Sequence, residues 1–425
     1  MAVFRHRRLF RRYWQILGPG LVTGAADDDP SGIATYSQAG ALYGLQLIWL
    51  SLFTLPLTVA VQEMSARIGM VSGRGLAENI RREYPRPVLY VCVALLLGAN
   101  TFNIGADLGA MAKSVQLLAP SINFAVIVVA FTILNIWLQV FTSYKIYSRY
   151  LKYLALVLLS YIAAGLIVGF DWGQVLEHTI VPSMTLSRES IFIVCGILGT
   201  TISPYLFFWQ SSQEMEEEVK AGRMTLRARE GATDAEVRNM RIDVWSGMFI
   251  SNLVMFFIIG VSATTLFAHG ITGINTAADA AAELRPLAGE WASALFAVGI
   301  IGTGLLAIPV FAGSNAYALA ETFHWHEGLY KKLRSAFGFY VTIAVSMIVA
   351  LAINFTGIDP IKALIYSAVA NGIVAPVVLF FIVRLSGDPR IMGARVNGRT
   401  TAFIGWFTVA VMAIAGIAVI ASFFV

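Results

Sequence analysis

Charged side chains are scarce in this sequence. Asp, Glu, Lys and Arg make up 13% of the 425 residues, whereas 57% are hydrophobic. Soluble domains carry about 25% charged residues, so this composition excludes a sizeable soluble domain. A helix that crosses a bilayer needs roughly 20 apolar residues, and stretches of that length recur along the whole chain. The composition therefore predicts a polytopic membrane protein, with residues 1–425 forming one transmembrane domain.

Cysteine and histidine are also rare. The two cysteines, Cys92 and Cys195, lie in apolar stretches and are interpreted as packing residues rather than as a disulfide or metal pair. The five histidines all lie near the ends of apolar stretches or in loops: His6, His178, His269, His324 and His326. This placement excludes an imidazole at mid-membrane depth, where it would relay protons near neutral pH.

Eleven stretches are predicted to span the membrane. They lie near 14–44, 46–70, 88–118, 122–142, 149–169, 191–213, 242–268, 289–318, 335–354, 360–384 and 401–424. The first and the sixth are interrupted by helix breakers. We expect spans 1–5 (about 14–169) and spans 6–10 (about 191–384) to form two repeats, followed by an extra helix.

Basic residues predict the orientation. The segments on one side of the eleven spans hold 26 of the 30 Lys and Arg residues, whereas the other side holds Arg188 and Arg285. Because cytoplasmic loops are enriched in Lys and Arg, we expect the N-terminus in the cytoplasm, the C-terminus outside and an inner-membrane location. The net charge of +5 then reflects topology, not a nucleic-acid partner. The N-terminal arm is not interpreted as a cleaved signal peptide.

Span 1 contains three consecutive acids, Asp27, Asp28 and Asp29, followed by Pro30, Ser31 and Gly32. Ionisable side chains inside a membrane are costly unless they meet a partner, water or a cation. Proline and glycine interrupt the helix at the same point. Acids at a broken helix in mid-membrane indicate a cation site on a transport path.

Span 6 carries a matching break between Gly199 and Pro204. Breaks at equivalent positions of two five-span halves are typical of inverted-repeat transporters. The alternative is that these residues are ordinary kinks, which are common in membrane helices. The carbonyl of Thr200 and the hydroxyls of Thr201 and Ser203 would add oxygens to Asp29. Such hard ligands suit Mg²⁺, Mn²⁺ or Ca²⁺, and neither break contains a Met, Cys or His.

Further polar residues allow two interpretations each. Asp107 in span 3 is either a buried structural acid or a carboxylate on the transport pathway. Met111, one turn later, is interpreted as a packing residue, and Gly105 and Gly109 as a close-packing face. The segment 214–241 is predicted to be a solvated extension of span 6 plus a connector. Its acids, Glu214, Glu216, Glu217 and Glu218, either cap the cytoplasmic face or attract cations.

The stretch GPGLVTGAADDDPSGIATYSQAGALYGLQLIWL resembles span 1 and the start of span 2 of the natural-resistance-associated macrophage protein (Nramp) family. RIGMVSGRGLAENI, ADLGA, ISPYLFFWQSS and IMGARVNGRTTAFIGWF match further stretches in order. The resemblance implies an all-α, leucine-transporter-like fold with two inverted five-helix repeats and an eleventh helix. Family members carry divalent transition metals coupled to protons.

The departures from the family pattern are equally specific. The family's Asp is kept as Asp29, but its Asn ligand is Gly32 and its sulfur ligand is Ser203. Two family histidines fall at Tyr205 and Gln210. The remaining departures are Ala110 for the family Glu, and Ala368 for the family Gln, with Asn371 one turn later.

This pattern resembles the Nramp-related magnesium transporter branch, which moves Mg²⁺ and Mn²⁺ without proton coupling. The resemblance assigns metal contacts to Asp29, Gly32, Thr200 and Ser203. It assigns pathway or water-mediated roles to Asp27, Asp28, Asp107, Tyr205, Gln210 and Asn371. Because Mg²⁺ tends to keep several waters, the loss of bulk at Gly32 and Ser203 fits a partly hydrated ion. No cofactor and no protein partner is implied, and we expect a monomer in the bilayer.

Three alternatives remain at this point. A proton-coupled Mn²⁺/Fe²⁺ importer would acidify liposomes during uptake. An organic-solute symporter would need room for its substrate, and Asp29 argues against an anionic one. A membrane enzyme that uses Mg²⁺ would need a second acid cluster within a span, which the sequence lacks.

Overall fold

The computed structural model describes residues 13, 14, 16–142, 158–274 and 276–424. The α-helices are α1 (Pro19–Asp27), α2 (Pro30–Tyr43), α3 (Trp49–Ser72), α4 (Leu76–Glu83), α5 (Arg86–Leu118), α6 (Phe124–Phe141), α7 (Leu159–Ile167), α8 (Trp172–Ile180), α9 (Arg188–Thr201), α10 (Pro204–Lys220), α11 (Leu226–Arg229), α12 (Asp234–Thr265), α13 (Ala277–Ala282), α14 (Arg285–Ala288), α15 (Ala292–Phe323), α16 (Phe337–Ile353), α17 (Pro360–Ser386), α18 (Pro389–Met392) and α19 (Arg399–Ser422). Short 3₁₀ turns lie at Gly44–Leu47, Phe267–His269, Gly289–Trp291 and Gly393–Arg395.

Each predicted span corresponds to helix in the described residues, except that part of span 5 (149–157) lies outside them. Spans 1 and 6 are the broken pairs α1–α2 and α9–α10, and α3, α5, α6, α12, α15, α16, α17 and α19 are the continuous spans. By length and hydropathy alone, seven described helices could cross a membrane. Helices α2 and α3 pass only as a bent pair, which would make an eighth span, and α16 is short at 17 residues. A bend of 105° separates α2 from α3, which marks the turn between spans 1 and 2.

Proline starts the helices that matter most for the site. Pro19 begins α1, Pro30 begins α2, Pro204 begins α10 and Pro360 begins α17. Proline suits the first helical position, because its missing N–H would have no partner there and its φ is already helical. Each broken span therefore resumes at a proline, as the sequence predicted.

Glycines bring both broken spans into backbone contact with their neighbours. A Cβ built on Gly24 of α1 would lie 2.3 Å from the backbone of Gly247 in α12. A Cβ on Gly199 of α9 would lie 2.1 Å from the carbonyl oxygen of Ala368 in α17. Any larger side chain would separate these helices, so small residues fix the depth at which the two breaks meet.

Helix α5 confirms the predicted packing roles in span 3. A Cβ on Gly105 would lie 2.9 Å from the carbonyl of Ala350, so this face packs against α16 within the same chain. The Met111 sulfur would lie 2.5 Å from a Cβ on Gly304 in α15. Both cysteines are buried and free, as predicted.

The segment after the span 6 break is less solvated than predicted. Helix α10 continues to Lys220, and three of its four predicted surface acids, Glu214, Glu216 and Glu218, are buried. Glu214 accepts a hydrogen bond of 2.8 Å from the Gln210 amide, and Glu216 one of 2.8 Å from the Leu329 backbone N–H. The prediction of a solvated extension was wrong here: the Gln210 donor lies one turn earlier on α10 itself, and folding brings the Leu329 donor from the segment after α15.

Candidate functional site

The span 1 break is two residues long. Helix α1 ends at Asp27 and α2 begins at Pro30, with Asp28 and Asp29 outside helical geometry. Asp29 caps α2, since its Oδ1 accepts a hydrogen bond of 2.6 Å from the Gly32 backbone N–H. A carboxylate at this position is stabilised by the helix dipole. The local sequence thus fixes Asp29 at the gap, and its side chain is only 1% exposed.

The span 6 break places Ser203 between α9 and α10. Its hydroxyl donates to the carbonyl of Gly199 and, at 2.8 Å, to the carbonyl of Thr200. The Thr200 carbonyl, which the sequence assigned to the metal, is therefore already engaged. The Ser203 hydroxyl likewise faces the end of its own span rather than span 1.

Oxygen atoms from both breaks converge at Gly32. A Cβ built there would lie 3.1 Å from the Asp27 carbonyl, 3.1 Å from the Thr200 hydroxyl and 3.3 Å from Asp29 Oδ1. We call this group of three oxygens the Gly32 cradle. Thr200 enters this group through its hydroxyl, and the predicted metal contact of its carbonyl stays a prediction. Asp27 contributes a main-chain oxygen that the sequence interpretation missed.

Both carboxylate oxygens of Asp29 accept hydrogen bonds. Ser31 Oγ lies 2.7 Å from its Oδ1 and 2.9 Å from its Oδ2. Asn103 Nδ2 in α5 donates to Oδ2 at 2.7 Å. The sequence interpretation missed Asn103. The signal was present, however, because Asn103 lies one turn before Asp107 and so shares its helix face.

Asn371 reaches the site indirectly. Its Nδ2 donates to Asn103 Oδ1 at 3.3 Å, and its own Oδ1 is buried without a hydrogen-bond partner in the described part of the chain. A chain of polar groups therefore joins Asp29 in span 1, Asn103 in span 3 and Asn371 in span 10. Ala368, one turn before Asn371, serves the close approach of α9 and α17.

Three other acids line the breaks and are fully buried: Asp27, Asp28 and Asp107. The Ser251 hydroxyl of α12 contacts both Asp27 and, at 3.3 Å, Asp28. Within the described residues, Asp27 Oδ1, Asp28 Oδ2 and both oxygens of Asp107 have no hydrogen-bond partner. Buried carboxylate oxygens without partners are costly, so these acids require a proton, water or a cation nearby.

The side chains around the two breaks include few of the residue types that commonly bind metals. No group of three or more His, Cys, Asp or Glu residues able to hold a metal is found in the portions of the chain that the structure describes. The oxygens nearest to Gly32 are Asp29 Oδ1, the Asp27 carbonyl and the Thr200 hydroxyl. Hard oxygen donors of this kind suit Mg²⁺, Mn²⁺ or Ca²⁺.

Tyr205 and Gln210 tie span 6 to the inner half of span 1. The Tyr205 hydroxyl donates to the Ala26 carbonyl at 2.7 Å. Gln210 accepts a 2.7 Å hydrogen bond from the Thr23 hydroxyl. These two side chains therefore hold α1 against α10, and neither is hydrogen-bonded to a residue of the Gly32 cradle.

One sulfur lies closer to the break than the sequence suggested. Met255 Sδ in α12 is 3.9 Å from the Thr201 hydroxyl, which also lies 3.2 Å from the Tyr36 hydroxyl. The breaks themselves contain no sulfur, as predicted, but a neighbouring span brings one beside span 6. Met255 lies 54 residues from Thr201, so the span 6 motif alone does not reveal this contact, which depends on helix packing.

Two further buried acids join helices on either side of the breaks. Beside the start of α1, Asp243 accepts backbone hydrogen bonds from Gly18, Gly20 and Leu21 at 2.8, 2.7 and 3.1 Å. Near the other end of span 1, Glu283, which follows α13 in the connecting loop, accepts from Ser37 at 3.1 Å and Ser262 at 2.6 Å. Burial raises the pKa of Glu283 to about 7.

Two broken helices that meet at buried oxygens in mid-membrane define the class of the protein: a transporter with the leucine-transporter-like fold. The fold agrees with a manganese transporter from Eremococcus coleocola at TM-score 0.74, with 18% identity over 97% of this chain and 88% of that one. It also agrees with Mhp1, a nucleobase-cation-symport-1 family transporter, at TM-score 0.59 and 14% identity, covering 95% and 90% of the two chains.

Residues 20–422 match the family described as natural resistance-associated macrophage protein-like, and the chain belongs to that family. It is 26% identical over 410 residues to the divalent metal cation transporter MntH of Erwinia tasmaniensis, covering 93% of this chain and 92% of that protein. The MntH of Klebsiella pneumoniae is also 26% identical, over 93% of this chain and 91% of that protein. These relatives are transporters, so the chain is a multi-pass membrane transporter and not an enzyme.

Proposed function

We propose that this protein carries Mg²⁺, and also Mn²⁺, into the cell by alternating access without moving protons. The observation that carries this proposal is the Gly32 cradle, where Asp29 is joined only by neutral oxygens. Divalent metal cation transport is the activity for which the related MntH proteins are named. The finer choice of Mg²⁺ rests on the ligand chemistry of this chain.

Hydration supports the choice of Mg²⁺. This ion dehydrates reluctantly and demands oxygen ligands, whereas sulfur and imidazole favour later transition metals. Gly32 leaves space for water where a side chain would fill the cradle. Asp29 would keep its hydrogen bond from Asn103, which orients the carboxylate, while the ion or its waters bind the remaining lone pairs.

Membrane potential supports uptake without coupling. A dication gains about 4.6 kcal/mol on crossing 100 mV towards a negative interior, at about 2.3 kcal/mol per charge. The residues at the two family histidine positions, Tyr205 and Gln210, do not titrate near neutral pH and instead hold α1 and α10 together. We further propose an inner-membrane protein with a cytoplasmic N-terminus, because one side holds 26 of the 30 basic residues, and a monomer with no obligate partner.

Transport in liposomes tests the proposal. The purified protein is reconstituted with a Mg²⁺-sensitive dye and, in parallel, a pH-sensitive dye inside. We expect Mg²⁺ and Mn²⁺ uptake driven by an inside-negative potential, with no change in internal pH. Asp29→Asn should abolish uptake, whereas Asp171→Asn, which alters an exposed helix cap far from the site, should not. Full uptake by Asp29→Asn would refute the site assignment.

A second candidate is proton-coupled Mn²⁺ or Fe²⁺ import. The observation that favours it is the Met255 sulfur near Thr201, since a thioether near the breaks would help a softer ion. The same liposomes separate the two functions. Internal acidification during Mn²⁺ uptake, together with Cd²⁺ transport that Met255→Leu removes, would favour the second candidate over the first.

A further inference from the structure

A groove outside the transport path lies between α15 and α16, at the end of the bundle that carries basic loops. It has a volume of about 800 Å³. Its long walls are apolar and include Leu97, Leu319, Val341 and Val345, while its mouth is formed by His324, His326 and Arg334. None of the thirteen described residues that line it is acidic.

We propose that this groove binds a phospholipid with an anionic headgroup, taken from the leaflet on the side of the basic loops. The apolar wall from Phe337 to Ser346 runs along α16 for about 14 Å at 1.5 Å per residue. That length is about half of the 30 Å hydrocarbon core, so an acyl chain of one leaflet fits along it.

The mouth has the charge that an anionic headgroup requires. Arg334 takes part in no ion pair in the described part of the chain. Lys331 and Lys332 precede it in the same loop. Basic pockets between membrane helices on the cytoplasmic side recognise acidic lipid headgroups, and the two imidazoles supply further hydrogen-bond donors.

The turn after α15 builds the headgroup end of the groove. His324 adopts φ 58°, a left-handed conformation that is uncommon outside glycine. This turn sets the Trp325 ring against α16, where a Cβ on Gly338 would lie 2.6 Å from it. Trp325 also stacks on Phe323 at 5.4 Å. Tryptophan at this depth is typical of the membrane interface.

Native mass spectrometry of the full chain tests the proposal, with dioleoylphosphatidylglycerol and dioleoylphosphatidylcholine as probes that share their acyl chains. We expect tighter binding of phosphatidylglycerol. Arg334→Gln should weaken that binding about fivefold, the effect of one basic residue near a membrane surface. Arg227→Gln, which removes an equal charge from the exposed helix α11, is the matched control and should change nothing.

A second pair of variants tests the acyl wall. Val345→Trp fills the groove from an exposed position and should weaken binding of both lipids, whereas Ile348→Trp, exposed on the same helix outside the groove, should not. Equal binding of the two lipids, an unchanged Arg334→Gln variant, or the same response to inorganic phosphate would each overturn the proposal. A dimer that Val345→Trp dissociates would instead assign the groove to a second copy and also overturn it.

Discussion

The side-chain amide of Asn103 donates a 2.7 Å hydrogen bond to Asp29, so span 3 holds the carboxylate at the centre of the span 1 break. Through Asn371, the same amide is connected to span 10. We expect this contact to orient Asp29 towards an ion, which links occupancy of the cradle to the positions of spans 3 and 10.

Asn103→Leu should lower kcat/KM for Mg²⁺ uptake by about 10- to 100-fold, because a hydrogen bond to a charged group contributes about 1.5–3 kcal/mol. Initial uptake rates in liposomes measure this change. Asn100→Leu is the matched control, because the Asn100 side-chain amide donates to Asn315 Oδ1 at 2.9 Å and not to Asp29. An equal loss of uptake in Asn103→Leu and Asn100→Leu would contradict this role.

Gly32→Ala should reduce Mg²⁺ uptake at least tenfold with little change in thermal stability. The new Cβ would stand 3.1 Å from two oxygens and take the space reserved for water. Gly98→Ala in α5 provides the control, because its Cβ would meet nothing within 4 Å. Uptake and the unfolding midpoint are measured for both variants. A Gly32→Ala protein that transports like the parent would show that the cradle is not on the path.

External pH should control the outer closure through Glu283. Its pKa is raised by burial to about 7, above the ordinary value of 4.5 for a glutamate. The closed state is therefore fully stable below about pH 4.5, and it loses stability as the pH rises towards 7, by roughly 3 kcal/mol in total at 1.36 kcal/mol per pKa unit. Labelling of Ala34→Cys, which borders the small cavity beneath α13, should become faster as external pH rises.

Glu283→Gln should make this labelling independent of pH, since the amide cannot ionise. Tyr161, whose hydroxyl also faces Glu283, is not titratable in this pH range. The matched control is Glu290→Gln in the neighbouring 3₁₀ turn, which is exposed. A pH dependence that persists in Glu283→Gln would assign the effect to another group.

Asp243→Ala should open the inner end of the pathway. Loss of a carboxylate that caps the start of α1 costs about 1–2 kcal/mol, which shifts the closed-to-open ratio about 5- to 30-fold. Labelling of Ala25→Cys from the cytoplasmic side measures this shift. Asp234→Ala, at the exposed start of the same helix α12, should leave the labelling rate unchanged. Equal rates in the two variants would contradict the role of Asp243.

Much of the architecture was predictable because it follows from local rules. Prolines set the restart of both broken spans, and Asp29 caps the helix that follows it, since carboxylates favour that position. The continuous spans follow from apolar length, and the predicted packing of Gly105 and Met111 is confirmed. The Mg²⁺ preference, the absence of proton coupling and the ligand roles stay predictions.

Two features could not be predicted from the motifs. Ser203 donates its hydroxyl hydrogen to the Thr200 carbonyl three residues earlier, and the Thr200 side chain lies at Gly32. Glu214 and Glu216 are buried, with donors from Gln210 on the same helix and from the distant Leu329 backbone. Helical periodicity alone cannot indicate which of several polar groups a neighbouring helix will satisfy.

The sequence by itself determined a membrane transporter with two interrupted helices and an aspartate at the first gap, because apolar length, proline and capping act over a few residues. Tertiary structure alone decided which oxygens face Gly32, that Asn103 holds Asp29, that Asp243 caps the start of α1, and that Glu283 joins α2 to α12. Those contacts depend on how closely glycine-lined helices approach. The distance between these helices is set by the packing of the whole bundle, so no single segment of the sequence predicts it.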